Sequence, residues 1–134
     1  MTTALPLGRI GSLASRTQKA GFSGLLFTET GRTPYLNAAV ASQAAPGLEL
    51  STGVAVAFPR SPFVTAATAW ELQEATGGRF RPGLGTQVRA HVVRRYGPVG
   101  GMERYVWELT QELRDLGHEV EVLCEVCLAE KPYG

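Results

Sequence analysis

Apolar residues in the first part of the chain recur at two alternating periods, and that alternation constrains the fold more than any other feature. Residues 24–28, Gly-Leu-Leu-Phe-Thr, form a short and nearly continuous apolar run, the pattern of a strand buried on both faces. Before it, Ser12 is placed to cap a short helix whose face is Leu13, Ala14, Thr17 and Ala20, with Gly21 as its stop. After it, Thr33-Pro34 is a capping residue followed by proline at the first helical position. The helix predicted there buries Leu36, Ala39, Val40 and Gln43 or Ala44, and Pro46-Gly47 ends it.

Residues 48–58 give the clearest strand. Even positions read Leu, Leu, Thr, Val, Val, Phe and odd ones Glu, Ser, Gly, Ala, Ala. Large side chains therefore share one side, and small ones on the other allow a close approach. Ser61-Pro62 opens a third helix by the same cap-and-proline device, with Phe63, Ala66, Ala67 and Trp70 on its face and Gly77-Gly78 at its end. A fourth strand is predicted over 79–85. Pro82 falls inside it, although proline cannot donate a ladder hydrogen bond and suits a sheet edge. Residues 1 to about 90 thus read β-α-β-α-β-α-β, which implies parallel pairing through right-handed crossovers. A doubly wound open sheet and part of a (β/α)-barrel both satisfy that order, and periodicity does not choose between them.

Beyond Gly97 the texture changes. A glycine-rich turn, Gly97-Pro-Val-Gly-Gly101, precedes an amphipathic helix with Met102, Tyr105, Val106, Leu109, Leu113 and Leu116 in one stripe. Gly117 ends it, and Val120, Val122 and Cys124 alternate with Glu119 and Glu121 as a half-buried strand. The predicted organisation is a first unit over 1–96 and a second over 97–134.

Composition narrows the function classes. A formal net charge of +1 gives no reason to expect nucleic acid or an anionic membrane as partner. Hydrophobic residues at 44% and charged ones at 19% indicate a folded, soluble chain. Residues 1–20 mix Arg9, Arg16 and Lys19 with small residues, unlike a secretory signal, and no apolar run approaches the roughly 18 residues of a spanning helix. A cytoplasmic protein is expected. Cys124 and Cys127 form one C-x-x-C pair at the end of a predicted strand. That is half a zinc site, and the thiols are expected to be reduced without a special role.

Three stretches carry a resemblance. Ala20-Gly-Phe-Ser-Gly-Leu-Leu-Phe-Thr-Glu-Thr30, then Leu48-Glu-Leu-Ser-Thr-Gly-Val-Ala-Val-Ala-Phe-Pro-Arg-Ser-Pro62, then the run from Thr68 through Gly77-Gly-Arg-Phe80 to Gly83-Leu-Gly-Thr-Gln87 are similar to luciferase-like monooxygenases. The resemblance covers residues 3 to about 95 and points most to members using a deazaflavin coenzyme, with FMN-dependent relatives next. It implies an α/β fold, part of a (β/α)8 TIM barrel of about four βα units, with the ring of the coenzyme at the C-terminal strand ends. It also implies roles for named residues. Glu29, as catalytic candidate, and Thr30 would stand beside the reactive face of the ring. Thr52, Gly53 and Val54 would form a backbone bulge behind it, where this family often has a non-prolyl cis peptide. Gly85 and Thr86 would close the fourth strand near the ring or its side chain. Several deazaflavin enzymes have an acid–His pair where this sequence has Glu29-Thr30.

The tail resembles a second family. Tyr96-Gly-Pro-Val-Gly-Gly-Met-Glu-Arg-Tyr-Val-Trp-Glu-Leu-Thr110 and the residues on to Cys124 are similar to the start of glycosyltransferases with two Rossmann-like domains. Gly100 and Gly101 at a helix N-terminus would suit an anion, as any glycine-rich βα turn would. A junction at residues 92–97 suggests a fusion of two gene fragments.

An eight-unit barrel needs about 250 residues, and this chain has 134. The expectation is a fragment with little activity of its own, whose open sheet edges and apolar inner face favour self-association. Partners implied are a flavin-type cofactor and a small-molecule substrate. A glycosyltransferase fragment and a non-catalytic fusion are the alternatives. His91 reads as a surface-loop residue, His118 as a cation at a helix end, Trp70 and Trp107 as packing residues. Arg60 reads either as an anion contact or as a solvated loop charge.

Overall fold

The computed structural model describes residues 5–86, 102–117 and 119–120. In chain order they form α1 (Leu7–Lys19), β1 (Gly24–Phe27), α2 (Pro34–Ala44), β2 (Glu49–Thr52), β3 (Ala55–Val56), α3 (Pro62–Ala75), β4 (Phe80–Arg81), β5 (Leu84–Gly85) and α4 (Met102–Asp115). Every strand pair is parallel. One sheet runs β1-β2-β4 and a smaller one pairs β3 with β5. Parallel neighbours require a crossover, and α2 and α3 supply it.

Leu25, Leu50 and Phe80 occupy one register row across the larger sheet. All three are buried and, with Phe27, pack against Ile10, Ala14, Tyr35, Ala38, Ala41, Ala69 and Leu72 of the helices. The opposite face carries Leu26, Ser51 and Arg81, which are half-buried or exposed. β1 is therefore buried on one face only among the described residues, not on both as its apolar run predicts. Its helical neighbours lie on the Leu25 and Phe27 side, so Leu26 has less to pack against.

Both proline signals hold, but only one of the caps does: Thr33 makes no side-chain cap hydrogen bond, and its hydroxyl accepts from Arg60 instead. Pro34 and Pro62 each sit in the first turn of a helix after an extended Thr33 or Ser61, and the Ser61 hydroxyl accepts from the Val64 N–H at 3.3 Å. Gly77 and Gly78, at φ +60° and +88°, turn the chain out of α3. Thr76 and Gln73 secure that turn: the Thr76 hydroxyl donates to Leu72 O at 2.7 Å and accepts from Arg79 N, while Gln73 Oε1 accepts from Phe80 N at 3.1 Å.

The start of the chain and the helix faces depart from expectation. α1 begins at Leu7 after Pro6, with no side-chain cap, so Ser12 lies in its interior. No strand precedes it among the described residues. Ile10 and Ala14 are its buried positions, and Gly11 faces Ala44 and Val40 of α2. In α2 the buried residues are Pro34, Tyr35, Asn37, Ala38, Ala41 and Ser42, while Leu36 is 52% exposed. In α3 they are Thr65, Ala66, Ala69 and Leu72; Phe63 is 67% exposed and Trp70 is also exposed. The sequence reading followed the largest apolar residues, whereas alanines face the sheet and bring the helices close to it. α4 packs on α3 through buried Leu109 and Thr110, with Leu113 half-buried and Leu116 exposed. Trp107 is 65% exposed, not a packing residue.

One prediction follows from the face of α2. Ala41→Leu overfills a fully buried position and is expected to cost about 1–3 kcal/mol. Leu36→Gln on the exposed face should stay within about 0.5 kcal/mol of wild type. Urea unfolding of the two variants checks the order, and a larger loss for Leu36→Gln would place the wrong face inward.

His91, Gly97 to Gly101, His118, Cys124 and Cys127 lie outside the described residues, as does the strand expected over 119–124 except for Glu119 and Val120. Among the described residues, no helix is long and apolar enough to cross a membrane.

Candidate functional site at the strand ends

The single strand expected over 48–58 is interrupted. β2 stops at Thr52, the Gly53–Val54 peptide is cis, and β3 resumes at Ala55. The strand expected over 79–85 is interrupted alongside it, with Pro82 and Gly83 between β4 and β5. Pro82 is exposed in that gap, where no ladder hydrogen bond is asked of it. Thr52 joins the two gaps: its hydroxyl donates to Gly83 O and accepts from Gly83 N, both at 2.8 Å. Gly53 N donates to Phe27 O at 2.8 Å, Ala55 N to Gly83 O at 2.8 Å and Ala57 N to Gly85 O at 3.1 Å.

These bonds bring Thr52, Gly53, Val54 and Gly85 together at the C-terminal ends of parallel strands. A Cβ on Gly53 would stand 2.6 Å from Leu26 Cδ2, and one on Gly85 would stand 2.8 Å from Val54 Cγ2. Leu26 and Val54 fill the space where those Cβ atoms would stand, so the half-buried main chain of Gly53, Val54 and Gly85 forms a close-packed ledge at the strand ends. Thr30 and Thr86 are exposed at the margin. Thr52 is buried, and its hydroxyl is occupied by Gly83.

Glu29 follows β1 and is buried, at 6% exposure. Its carboxylate is held from two sides. Oε2 accepts from the Val56 N–H at 2.6 Å and from Arg60 Nη1 at 3.1 Å, and Oε1 accepts from Arg60 Nη2 at 2.6 Å. Arg60 Nη1 also donates to Val56 O at 3.2 Å, and Nη2 to the Thr33 hydroxyl at 3.3 Å. The guanidinium lies over the Tyr35 ring at 5.0 Å, a stacking that suits its planar charge. Arg60 is thus neither a solvated loop charge nor directed to an external anion; it forms a bidentate pair with Glu29. Sequence reasoning singled out both residues without joining them, because no local period links positions this far apart. Among the described residues, no group of three or more His, Cys, Asp or Glu side chains could hold a metal ion.

Helices on one face of parallel strands define a segment of a (β/α)8 barrel, a fold whose chemistry lies at the C-terminal strand ends, the end at which this ledge stands. The chain belongs to the luciferase-like monooxygenase family, whose model matches residues 1–120. The match passes residue 96 and takes in α4, and the glycosyltransferase resemblance of the tail gains no support from it. Uncharacterized proteins of Mycobacterium tuberculosis and Mycobacterium bovis are each 37% identical to it over 109 residues, which is 81% of this chain and 32% of theirs. The chain therefore spans about a third of the length of these curated relatives.

Three solved structures share the fold. A monooxygenase from Streptomyces bottropensis superposes with a TM-score of 0.67 at 18% identity, over 92% of this chain and 40% of that one. The oxygenating constituent of 3,6-diketocamphane monooxygenase from Pseudomonas putida, a type II Baeyer-Villiger enzyme in complex with FMN, gives 0.64 at 14% identity over 82% and 32%. The coenzyme F420-dependent tetrahydromethanopterin reductase of Methanopyrus kandleri gives 0.60 at 20% identity over 67% and 26%.

Proposed function

We propose that the chain is the coenzyme-ledge portion of a luciferase-like oxidoreductase that uses a deazaflavin coenzyme or FMN and acts on a small molecule in the cytoplasm. The observation that carries this reading is the close-packed, half-buried main chain of Gly53, Val54 and Gly85 at the C-terminal ends of parallel strands. The FMN complex and the F420-dependent reductase among its structural neighbours support that choice of coenzyme.

When bound, such a coenzyme supplies hydride transfer or flavin-linked oxygenation. The residues present would do the rest by holding and orienting. Gly53 and Gly85 would set the distance of closest approach, and Val54 would pack behind the ring. The exposed Thr30 and Thr86 hydroxyls would offer hydrogen bonds at its rim. Glu29 enters this reading through its hold on Val56. Two features of the larger sheet among the described residues, its less covered face and the outer edges of β1 and β4, support self-association as the state of this chain on its own.

Fluorescence titration with FMN and with coenzyme F420 is the test. The wild-type chain is expected to bind one of them, and Gly53→Val to weaken binding about tenfold to a hundredfold, the equivalent of about 1–3 kcal/mol of misfit. Leu36→Gln, on the exposed side of α2, should bind as wild type does. No binding by the wild-type chain, or equal binding by Gly53→Val, would rule the ledge out.

A further inference from the structure

We propose that Arg60 is a positioning residue for the coenzyme ledge, acting with Glu29 as a side-chain substitute for a strand neighbour of β3. This rests on the functional reading above for its use, though not for its geometry.

β3 has two residues. On one side its ladder runs to β5, through Ala55 N to Gly83 O and Ala57 N to Gly85 O. Those bonds use the N–H groups of Ala55 and Ala57, and in a strand the intervening Val56 directs its own N–H and C=O the other way. There β1 ends at Phe27, whose carbonyl accepts from Gly53 N. No strand lies on that side among the described residues, Val56 is 1% exposed so that water does not take its place, and an unmade buried main-chain bond is costly.

Glu29 and Arg60 complete the pairing. The carboxylate accepts from Val56 N at 2.6 Å, and the guanidinium donates to Val56 O at 3.2 Å. Together they present one acceptor and one donor, as a neighbouring strand would. The bidentate contact between them fixes the spacing of the two, and Thr33 and the Tyr35 ring fix the guanidinium in turn. Val54 lies two residues before Val56, beside Gly85. Pinning Val56 therefore sets where Val54 stands, and with it the shape of the ledge. Lysine cannot reproduce this arrangement, since its single nitrogen cannot pair with both Glu29 oxygens in a planar fork while also reaching Val56 O and the Thr33 hydroxyl.

Arg60→Lys tests the proposal, with Arg60→Met as a second variant and two readouts. In the ligand-free protein, amide hydrogen exchange at Val56 should quicken about tenfold or more in both variants, while Leu25 and Leu50 in β1 and β2 keep wild-type protection. In titrations with FMN and coenzyme F420, affinity for whichever coenzyme wild type binds should fall about tenfold. Wild-type exchange at Val56 in both variants would overturn the clamp. A uniform rise across β1, β2 and β3 would overturn it too, since that is the sign of general loosening. Local quickening with unchanged affinity would overturn the link to the ledge. A wild-type chain that binds neither coenzyme would overturn the functional reading, and the exchange pattern would then decide the clamp by itself.

Discussion

Glu29→Leu is expected to lower the stability of the chain by about 3–5 kcal/mol, a large part of what a small domain has. The loss would come less from the missing attraction than from what remains. Arg60 keeps its charge with only 18% of its side chain exposed, and the buried Val56 N–H loses its acceptor. Removing both charges as Glu29→Leu/Arg60→Met should lie closer to wild type than Glu29→Leu alone, because an apolar pair of similar volume leaves no charge stranded. Urea unfolding of the single and double variants gives the coupling directly. A double variant less stable than Glu29→Leu would contradict the account. The comparison is sharpened by the other ion pair described, Glu49 with Arg81. Those partners are 3.6 Å apart and mostly exposed, so Glu49→Gln should shift stability by no more than about 0.5 kcal/mol.

Gly83→Ala is the second large effect, expected at about 3 kcal/mol, the upper end for an overpacked site. A Cβ there would be driven into the backbone carbonyl oxygen of Thr52. Backbone cannot step aside as a flexible side chain can, and Gly83 also exchanges two hydrogen bonds with the Thr52 hydroxyl while receiving one from Ala55 N. Displacing it should loosen the joint between the two sheets together. Gly8, by contrast, has open space where its Cβ would stand, and Gly8→Ala inside α1 should be neutral or slightly stabilising. Thermal unfolding of the pair is decisive: equal midpoints would mean the close approach at Gly83 carries no weight.

The order of helices and strands from α1 onward was legible in the sequence, apart from the expected first strand and the breaks within two strands, since it depends on local signals. Thr33-Pro34 and Ser61-Pro62 mark helix starts by steric and capping rules that act within one turn, and Gly77-Gly78 marks a stop the same way. The cluster of Gly53, Val54 and Gly85 followed from resemblance to a family and not from spacing. What stayed hidden depends on distant partners. Leu36 and Phe63 are large and apolar yet face outward, because alanines are what the sheet accepts at close range. The interruption at Gly53–Val54 left the even–odd alternation of residues 48–58 undisturbed in composition, although Ala55, Val56 and Ala57 are all buried. Pro82 gave the clue to the matching interruption, but without β3 beside it the proline could be placed only as an edge residue. The Glu29–Arg60 pair joins the end of β1 to the loop before α3, and no sequence period encodes that meeting.

The alanine-lined contact between helices and sheet also bears on how a lineage built on this fold could diverge. Ala38, Ala41, Ala66 and Ala69 are almost wholly enclosed, so nearly any replacement other than glycine or serine adds volume that the layer spacing cannot take up. Leu36 and Phe63, mostly exposed on the same helices, carry no such restriction. Divergence among descendants should therefore accumulate in the large residues and spare the small ones, the reverse of the pattern expected where bulky side chains make the core.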